Sequence, residues 1–389
     1  MSEPARQGLL QPHSGAQRVT NIELFFDLVY VFAITQLSHH LLADPTVGGA
    51  LQTLLLLAMV WWAWVYTTWA TNWLDADRLP VRLMLVVLML ISLVLSVALP
   101  GAFGARGLVV ASAYVVMQVG RSVFVAIAGR GRPLERIFVR VVIWCVVSGC
   151  IWLAGGLLSG DARVVAWTVA MGIDLVGGVA GFYTPGMGRT TSREWTIEGG
   201  HFAERCQAFI IIALGESIVV IGTTLARVHR IGLSDALAFL AAFIGSVALW
   251  WVYFDRSAED GARIIAHSSD PGRIALFAYH LIHPVMVAGI IVAAAADARV
   301  LLRPWEAGDL ATSLMVVGGP ALFLAGHALY KFPVWRVISS PRIGAIVVLF
   351  LLLLAAGRLP ALALGACVIA VVAAVAVIDR IQHPNQAEA

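Results

Sequence analysis

The stretch Leu83–Leu99, LMLVVLMLISLVLSVAL, is an apolar run without a charged residue. Hydrocarbon offers no partner to backbone polar groups, so such a run crosses a bilayer as a helix rather than as an open strand. A bilayer core about 30 Å thick requires about 20 residues of helix. Comparable runs recur along the chain, for example at Ile343–Ala356. The pattern therefore predicts an all-α, polytopic membrane protein whose helices contact lipid.

The composition supports the same prediction, because 60% of the 389 residues are hydrophobic and only 13% are charged. Soluble domains contain about 45–50% apolar and about 25% charged residues. The net charge of +3 is spread over short loops, so no nucleic-acid partner is expected. The four cysteines lie in apolar runs without zinc-ligand spacing and are interpreted as packing residues. The polar N-terminal segment lacks the apolar core of a cleaved signal peptide.

Twelve apolar segments are predicted to span the membrane. They are 22–42, 49–71, 82–99, 107–128, 136–157, 163–183, 202–225, 233–254, 273–296, 310–330, 342–357 and 360–378. Only Gly357–Pro360 separates the last two segments, so one long kinked element is an alternative to a hairpin there.

The distribution of basic residues predicts that both termini are cytoplasmic, because arginine and lysine are enriched in cytoplasmic loops. With the N-terminus inside, 17 of the 26 basic residues fall on inside segments and 7 on outside loops, and Arg121 and Arg205 lie within spans. The bias favours an even number of spans and a multi-pass protein of the bacterial inner membrane.

Five matches in chain order predict an internal repeat, at offsets between 181 and 208. They pair Glu23-Leu24 with Glu204-Arg205, Trp64-Val65-Tyr66 with Trp251-Val252-Tyr253, Arg82 and Leu90-Ile91 with Arg273 and Leu281-Ile282, Pro133 with Pro341, and Asp174 with Asp379. Six spans in each half give both halves the same orientation, and parallel repeats of this kind often hold polar sites where they meet. The predicted divisions are a cytoplasmic segment 1–21, a first half 22–183, a linker 184–201, a second half 202–379 and a tail 380–389.

Ionisable residues inside the spans are the candidate functional residues, because a charge at membrane depth is costly without a cavity or a partner. Glu23 and Asp27 share one face of the first span. They predict a cation or proton site, or else a helix-capping Glu23 and an Asp27 paired with an arginine such as Arg121. Arg121 itself is expected to bind Asp27 or Glu23, and Asp174 is expected to be interfacial.

The seventh and later spans contain further candidates. His201, Glu204 and Arg205 open the seventh span, and Glu216 with Ser217 lies within its apolar run. His280 and His283 are one turn apart in the ninth span, and His327 is alone in the tenth. These histidines are predicted to relay protons, to bind a metal or to act as hydrogen-bond partners. No cofactor motif occurs, so no cofactor is predicted and the metal question stays open.

Two motifs resemble the signatures of the bacterial low temperature requirement protein A family. The first is Val19–Ala33, VTNIELFFDLVYVFA; the second combines His201–Arg205, HFAER, with Ala213–Ile218, ALGESI. The resemblance covers nearly the whole chain and implies a polytopic membrane protein without naming a reaction or substrate. It implies signature positions at Glu23, Asp27, His201, Glu204, Arg205, Glu216 and Ser217.

The first span is also similar to the F-S-D motif of the endolysosomal potassium-channel family, which uses six-helix repeats. The similarity lies in Phe25–Thr35, FFDLVYVFAIT. Phe26 replaces the motif serine, and the second half reads Cys206-Gln207-Ala208 where the motif would recur. This similarity implies a shared fold, without implying shared ion selectivity.

Three functions are compatible with these residues. The first is a transporter or channel for a small cation, a proton or a proton-coupled solute. The second is an intramembrane enzyme that acts on a lipid or prenyl-like substrate through an acid–base or metal site. The third is a regulatory membrane protein without turnover. The substrate and the oligomeric state are left open.

Overall fold

A computed structural model describes residues 8–11, 18–228 and 230–382. The predicted segment 1–21 and tail 380–389 therefore lie in large part outside the described residues. The helices are α1 Asn21–Ala43, α2 Val47–Trp73, α3 Leu79–Ala98, α4 Gly107–Ala128, α5 Pro133–Leu157, α6 Gly160–Val179, α7 Gly199–Ala226, α8 Leu233–Phe254, α9 Ser257–Ala266, α10 Pro271–Ile274, α11 His283–Leu302, α12 Leu310–Trp335, α13 Ser340–Leu353 and α14 Ala361–Gln382.

The prediction of an all-helical chain with many membrane-spanning helices is confirmed. Eleven helical stretches of the described residues are long and apolar enough to cross a membrane, and α13 is a shorter apolar helix. The eight spans predicted up to residue 254 coincide with α1 to α8 within four residues at each end. Helix α9 was not predicted, because its polar sequence was interpreted as part of a loop.

The last predicted spans, 342–357 and 360–378, form two separate helices. A short turn at Ala356–Arg358 follows α13, and α13 packs against α14. The structure therefore has the hairpin rather than one long kinked element. Helix α13 contains 14 residues, which span only about 21 Å at 1.5 Å per residue.

A π-helical segment, Ala275–Ile282, joins α10 to α11. Pro284 follows it and has no backbone N–H, so it cannot donate to the carbonyl four residues earlier. The π-helical segment thus lies next to a position where one backbone N–H is missing from the α-helical hydrogen-bond pattern. The predicted span 273–296 is part of this longer element, which continues to Leu302.

Contacts divide the chain into two compact units. Unit 1 comprises Met1–Gln36, Leu55–Arg205 and Ala266–Arg273; unit 2 comprises Leu37–Leu54, Cys206–Ile265 and Ile274–Ala389. In unit 1, α4 packs against α3 and α5, and α5 packs against α6. In unit 2, α12 packs against α11, α13 and α14, and α8 packs against α14. The internal repeat with halves 22–183 and 202–379 stays a prediction.

Helix α3 is apolar on its exposed face as well as on its buried face. Its packed positions include Val81, Leu85 and Leu95, whereas Leu83 and Leu90 are 56% and 63% exposed. A helix that is hydrophobic all round belongs in a core or in a membrane. The exposed leucines and valines of this helix are therefore surfaces for lipid.

Glycines bring the backbones of α11 and α12 together in unit 2. A Cβ at Gly289 would lie 2.5 Å from the backbone nitrogen of Phe323, and one at Gly319 would lie 2.6 Å from that of Ala293. Membrane helices pack closely where small residues face each other. The α11–α12 pair therefore depends on the absence of side chains at these positions.

The α11–α12 contact predicts opposite effects of one substitution at adjacent residues of α12. Gly319→Ala places a methyl group too close to the backbone of Ala293, whereas a Cβ at Gly318 meets nothing within 4 Å. Overpacking costs about 1–3 kcal/mol, and both substitutions gain the same helix propensity. We expect Gly319→Ala to lower the thermal unfolding midpoint in detergent relative to Gly318→Ala. Equal midpoints would contradict this packing.

Candidate functional site

Arg205 and Asp27 form a bidentate ion pair inside unit 1. Arg205 Nε donates to Asp27 Oδ2 at 2.9 Å, and Nη2 donates to Oδ1 at 2.7 Å. The indole Nε1 of Trp64 donates to the same Oδ1 at 2.6 Å. Both charged side chains are 0% exposed. This two-bond geometry is strong and fixes the orientation of both groups.

Glu23 joins the pair and also caps α1. It accepts a hydrogen bond from Arg205 Nη1 at 2.8 Å through Oε1. Its Oε2 accepts from the Thr20 backbone N–H at 3.0 Å and from the Thr20 hydroxyl at 2.8 Å. A glutamate that accepts from the backbone N–H three residues earlier is typical of a helix start. Glu23 is therefore both a cap and a partner of a buried charge.

Asn72 determines the tautomer of His201. The backbone N–H of Glu198 donates to Asn72 Oδ1 at 2.7 Å, which makes the other amide atom, Nδ2, the donor. That Nδ2 lies 2.9 Å from the Glu198 carbonyl and 3.2 Å from His201 Nδ1. In this arrangement His201 Nδ1 accepts from Asn72, which assigns the ring proton to Nε2. Nε2 donates to Glu23 Oε2 at 3.2 Å.

These contacts define the Arg205 cluster: Glu23, Asp27, Arg205 and His201, with Trp64, Thr71 and Asn72 around them. Thr71 Oγ1 accepts from Arg205 Nη1 at 3.2 Å. The cluster lies at the start of α1, the end of α2 and the start of α7. The cluster combines two carboxylates with one guanidinium and one imidazole. Because an uncompensated buried charge is costly, the two carboxylates depend on the positive charge of Arg205.

The predicted partner of Arg121 is wrong. Arg121 donates to Gln118 Oε1, to the Ala63 carbonyl at 3.1 Å and to Thr67 Oγ1 at 3.2 Å. Asp27 and Glu23 instead bind Arg205, which lies on α7 and reaches them because α1 and the start of α7 belong to the same unit. The alternative that an arginine neutralises Asp27 is correct, but the arginine is a different one.

Asp174 is buried rather than interfacial as predicted, with 8% exposure. It accepts hydrogen bonds from the Tyr114 hydroxyl at 2.9 Å and from Trp152 Nε1 at 3.0 Å. Gln118 Nε2 donates to the Tyr114 hydroxyl at 3.0 Å, and its carbonyl accepts from Arg121. A chain of hydrogen bonds thus connects a buried guanidinium with a buried carboxylate through two neutral groups.

Glu204 lies outside the Arg205 cluster. It follows the buried Ala203 on α7 but is itself exposed. Its neighbours His201 and Arg205 are 1% and 0% exposed. The HFAER motif therefore contributes two of its three ionisable residues to the cluster.

The remaining predicted site residues belong to unit 2. Glu216 is buried at 1% exposure, and Ser217 Oγ lies 3.2 Å from Ser246 Oγ. His280 is buried within the π-helical segment. His327 Nδ1 accepts from Arg342 Nε at 3.0 Å. The site residues are thus distributed over both units.

His283 uses both ring nitrogens in hydrogen bonds. Nδ1 donates to the Ala278 carbonyl at 2.9 Å, and Nε2 accepts from the Tyr253 hydroxyl at 2.8 Å. This arrangement leaves neither nitrogen for a metal ion. Among the described residues, no group of three or more histidine, cysteine, aspartate or glutamate side chains is placed to hold a metal.

Several residues of these networks were missed by sequence reasoning. Asn72 and Thr71 are ordinary polar residues near the end of a span, and nothing in their spacing indicates a partner. Arg342, the first residue of the predicted span 342–357, forms an ion pair with Asp379 in unit 2. Asp297 lies on α11, just beyond the predicted end of its span.

Comparison with known proteins identifies relatives of the chain. The profile of the family described as bacterial low temperature requirement A protein (LtrA) matches residues 18–377. An uncharacterized protein, RA0937, of Rhizobium meliloti (strain 1021) is 36% identical over 346 residues, which are 88% of this chain and 84% of the relative. No solved structure matches the chain significantly.

The Arg205 cluster predicts a large loss of stability when its guanidinium is removed. Arg205→Ala leaves Asp27 buried without either guanidinium bond, and breaking one partner of a buried pair costs about 3–5 kcal/mol. The exposed pair of Arg82 and Asp77 provides the control, because exposed pairs contribute only about 0–1 kcal/mol. We expect Arg205→Ala to lower the thermal unfolding midpoint far more than Arg82→Ala. Similar midpoints in the two variants would contradict the role given to Arg205.

Proposed function

Since the chain belongs to the bacterial low temperature requirement A family and carries buried charges among membrane-spanning helices, we propose that it is a proton-coupled transporter of a small cation or solute. The observation that carries the proposal is the buried Arg205 cluster, in which the carboxylates of Glu23 and Asp27 share one guanidinium. With both carboxylates ionised and His201 neutral, the cluster would carry one excess negative charge, which would favour uptake of one proton or cation. Buried ionisable residues of this kind mark proton and ion pathways in membrane proteins.

Protonation of His201 is coupled to the connection before α7. A second ring proton on Nδ1 would face the Asn72 amide, which already acts as a donor there. The two donors would repel each other, so Asn72 would turn or move away. Asn72 is also hydrogen-bonded to both the backbone N–H and the carbonyl of Glu198, which lies one residue before α7 begins. A proton on the imidazole would therefore loosen the start of α7.

We further propose that the protein lies in the inner membrane with both termini in the cytoplasm, as the arginine bias favours. The Arg205 cluster then faces the cytoplasmic side, because it lies at the start of α1 and α7. Two parallel six-helix repeats would supply a second set of groups from unit 2. Glu216 and Ser217, with the histidines His280, His283 and His327, are proposed for that second set.

A flux experiment tests the transport proposal. Purified protein is reconstituted into vesicles with an internal pH dye, and sodium, potassium or lithium chloride is added outside in turn. We expect a protein-dependent pH change with at least one cation. Glu23→Gln keeps the Arg205–Asp27 pair but removes the excess charge, so it should reduce the flux to background.

Glu204→Gln is the matched control for Glu23→Gln, because it makes the same chemical change at an exposed position of the same signature. We expect its flux to equal that of the unmodified protein. Absence of flux with every cation, or equal flux in the two variants, would contradict the proposal and favour a regulatory role.

The size of the flux tests the role of His201 separately. Glutamine can donate a hydrogen bond to Glu23, but it cannot take up a proton. We therefore expect His201→Gln to reduce the flux, whereas His39→Gln, at an exposed histidine of α1, should leave it unchanged. A flux insensitive to His201→Gln would exclude the imidazole as the coupling group.

A further inference from the structure

A small cavity lies within unit 2, between α7, α8, α11, α12 and α14. Its volume is about 50 Å³, and a cavity of about 10–15 Å³ already holds one water. Most of the lining is alanine, valine, leucine and isoleucine, and no arginine, lysine or histidine lines it. The polar groups that reach it come from Asp297, Ser217 and Ser246. The cavity thus places one carboxylate in apolar surroundings without a basic side chain.

Asp297 has no side-chain hydrogen bond or ion pair with any other residue that the structure describes. It lies on α11 four and eight residues after Ala293 and Gly289, which mark the face of α11 that packs on α12. The arginine nearest in sequence, Arg299, donates to Asp309 at 2.7 Å and to Thr312 Oγ1 at 2.7 Å instead. The Asp297 carboxylate is therefore held in the helix packing of unit 2 without a countercharge.

Neutral oxygens line the same cavity. Ser217 Oγ and Ser246 Oγ are 3.2 Å apart, so one hydroxyl donates to the other and lone pairs remain on both. Val316 and Pro320 also line the cavity, one turn apart on α12. Proline has no N–H, so Pro320 cannot donate the helical hydrogen bond that the Val316 carbonyl would otherwise accept. Two hydroxyl groups thus line the same cavity as the carboxylate, and the Val316 carbonyl on its wall lacks its usual helical donor.

We propose that this cavity is a binding site for a monovalent alkali cation, with Asp297 as its charged ligand. Hard cations bind oxygen ligands, and Ca²⁺ requires six to eight oxygens that usually include several carboxylates. One carboxylate with neutral oxygens balances a single positive charge, whereas a divalent ion would leave an excess charge in an apolar cavity. A proton would also neutralise Asp297, but it would need none of the other oxygens.

The cation site does not rest on the Arg205 cluster or on transport. Its residues all belong to unit 2, whereas Glu23, Asp27, His201 and Arg205 belong to unit 1. Binding is measurable in detergent without a membrane gradient. Failure of the flux experiment and failure of the binding experiment are therefore distinguishable.

Carboxyl labelling provides the test. A hydrophobic carbodiimide modifies protonated carboxyl groups in apolar surroundings, and peptide mass spectrometry locates the adduct. The unmodified protein is treated in choline chloride, with increasing sodium, potassium or lithium chloride at constant ionic strength. We expect an adduct at Asp297 that at least one alkali cation suppresses. Ser246→Ala should raise the cation concentration needed for half-protection.

The matched variants are Asp297→Asn and Glu306→Gln. Glu306 lies in the loop after α11 and is exposed, with 66% of its side chain accessible. Asp297→Asn should lose the adduct, whereas Glu306→Gln should keep both the adduct and its protection. An adduct that no alkali cation suppresses would overturn the proposal and leave a proton as the only occupant.

Thermal unfolding decides the case in which no adduct forms. An alkali cation that stabilises the folded protein raises its unfolding midpoint in proportion to binding. We expect a higher midpoint in the effective alkali chloride than in choline chloride, an increase that Ser217→Ala and Ser246→Ala reduce. These serine variants provide the test of the cation site if Asp297→Asn does not fold. Identical midpoints in all four chlorides, without an adduct, would overturn the proposal.

Discussion

The buried pair between Arg205 and Asp27 is the interaction on which the rest of unit 1 depends. Hydrocarbon cannot solvate either charge, so each group must find its partner in the protein. The two parallel hydrogen bonds between them fix the first turns of α7 against the first turns of α1. The surrounding contacts follow from the same requirement. Trp64 on α2 donates to Asp27 Oδ1, and Thr71 on the same helix accepts from Arg205 Nη1.

The second carboxylate makes the cluster more than a structural ion pair. A single aspartate would balance Arg205, and the site would be neutral and closed. Glu23 adds a second carboxylate, which lies 3.2 Å from His201 Nε2. Asn72 contacts the other ring nitrogen, and the Glu198 backbone fixes the orientation of its amide. His201 and Asn72 therefore connect the second carboxylate with the backbone before α7.

The spans and most charged candidates were predictable, because the sequence alone shows long apolar runs and the charged residues within them. Asp27, Arg205 and Glu216 were recognised for this reason. The partner of Asp27 was not predictable, since helices that are distant in sequence decide it: Arg205 rather than Arg121 lies beside α1. Asp297 was missed because it lies close to Arg299 at the end of an apolar run, where it resembles a loop residue. Its isolation is visible only after Arg299 is seen to bind Asp309.

The neighbours of Glu23 and of Asp297 differ in which positive charge they favour. Glu23 is next to an imidazole, and an imidazole accepts a proton without changing the packing around the carboxylate itself. Asp297 shares its cavity with the hydroxyl groups of Ser217 and Ser246 and with Pro320, but with no titratable neighbour among the cavity-lining residues. Those oxygens add little to the binding of a proton and much to the binding of a metal cation, which needs several ligands. The same requirement, neutralising a carboxylate among packed helices, would thus be met by a proton on His201 beside Glu23 and by the proposed alkali cation at Asp297.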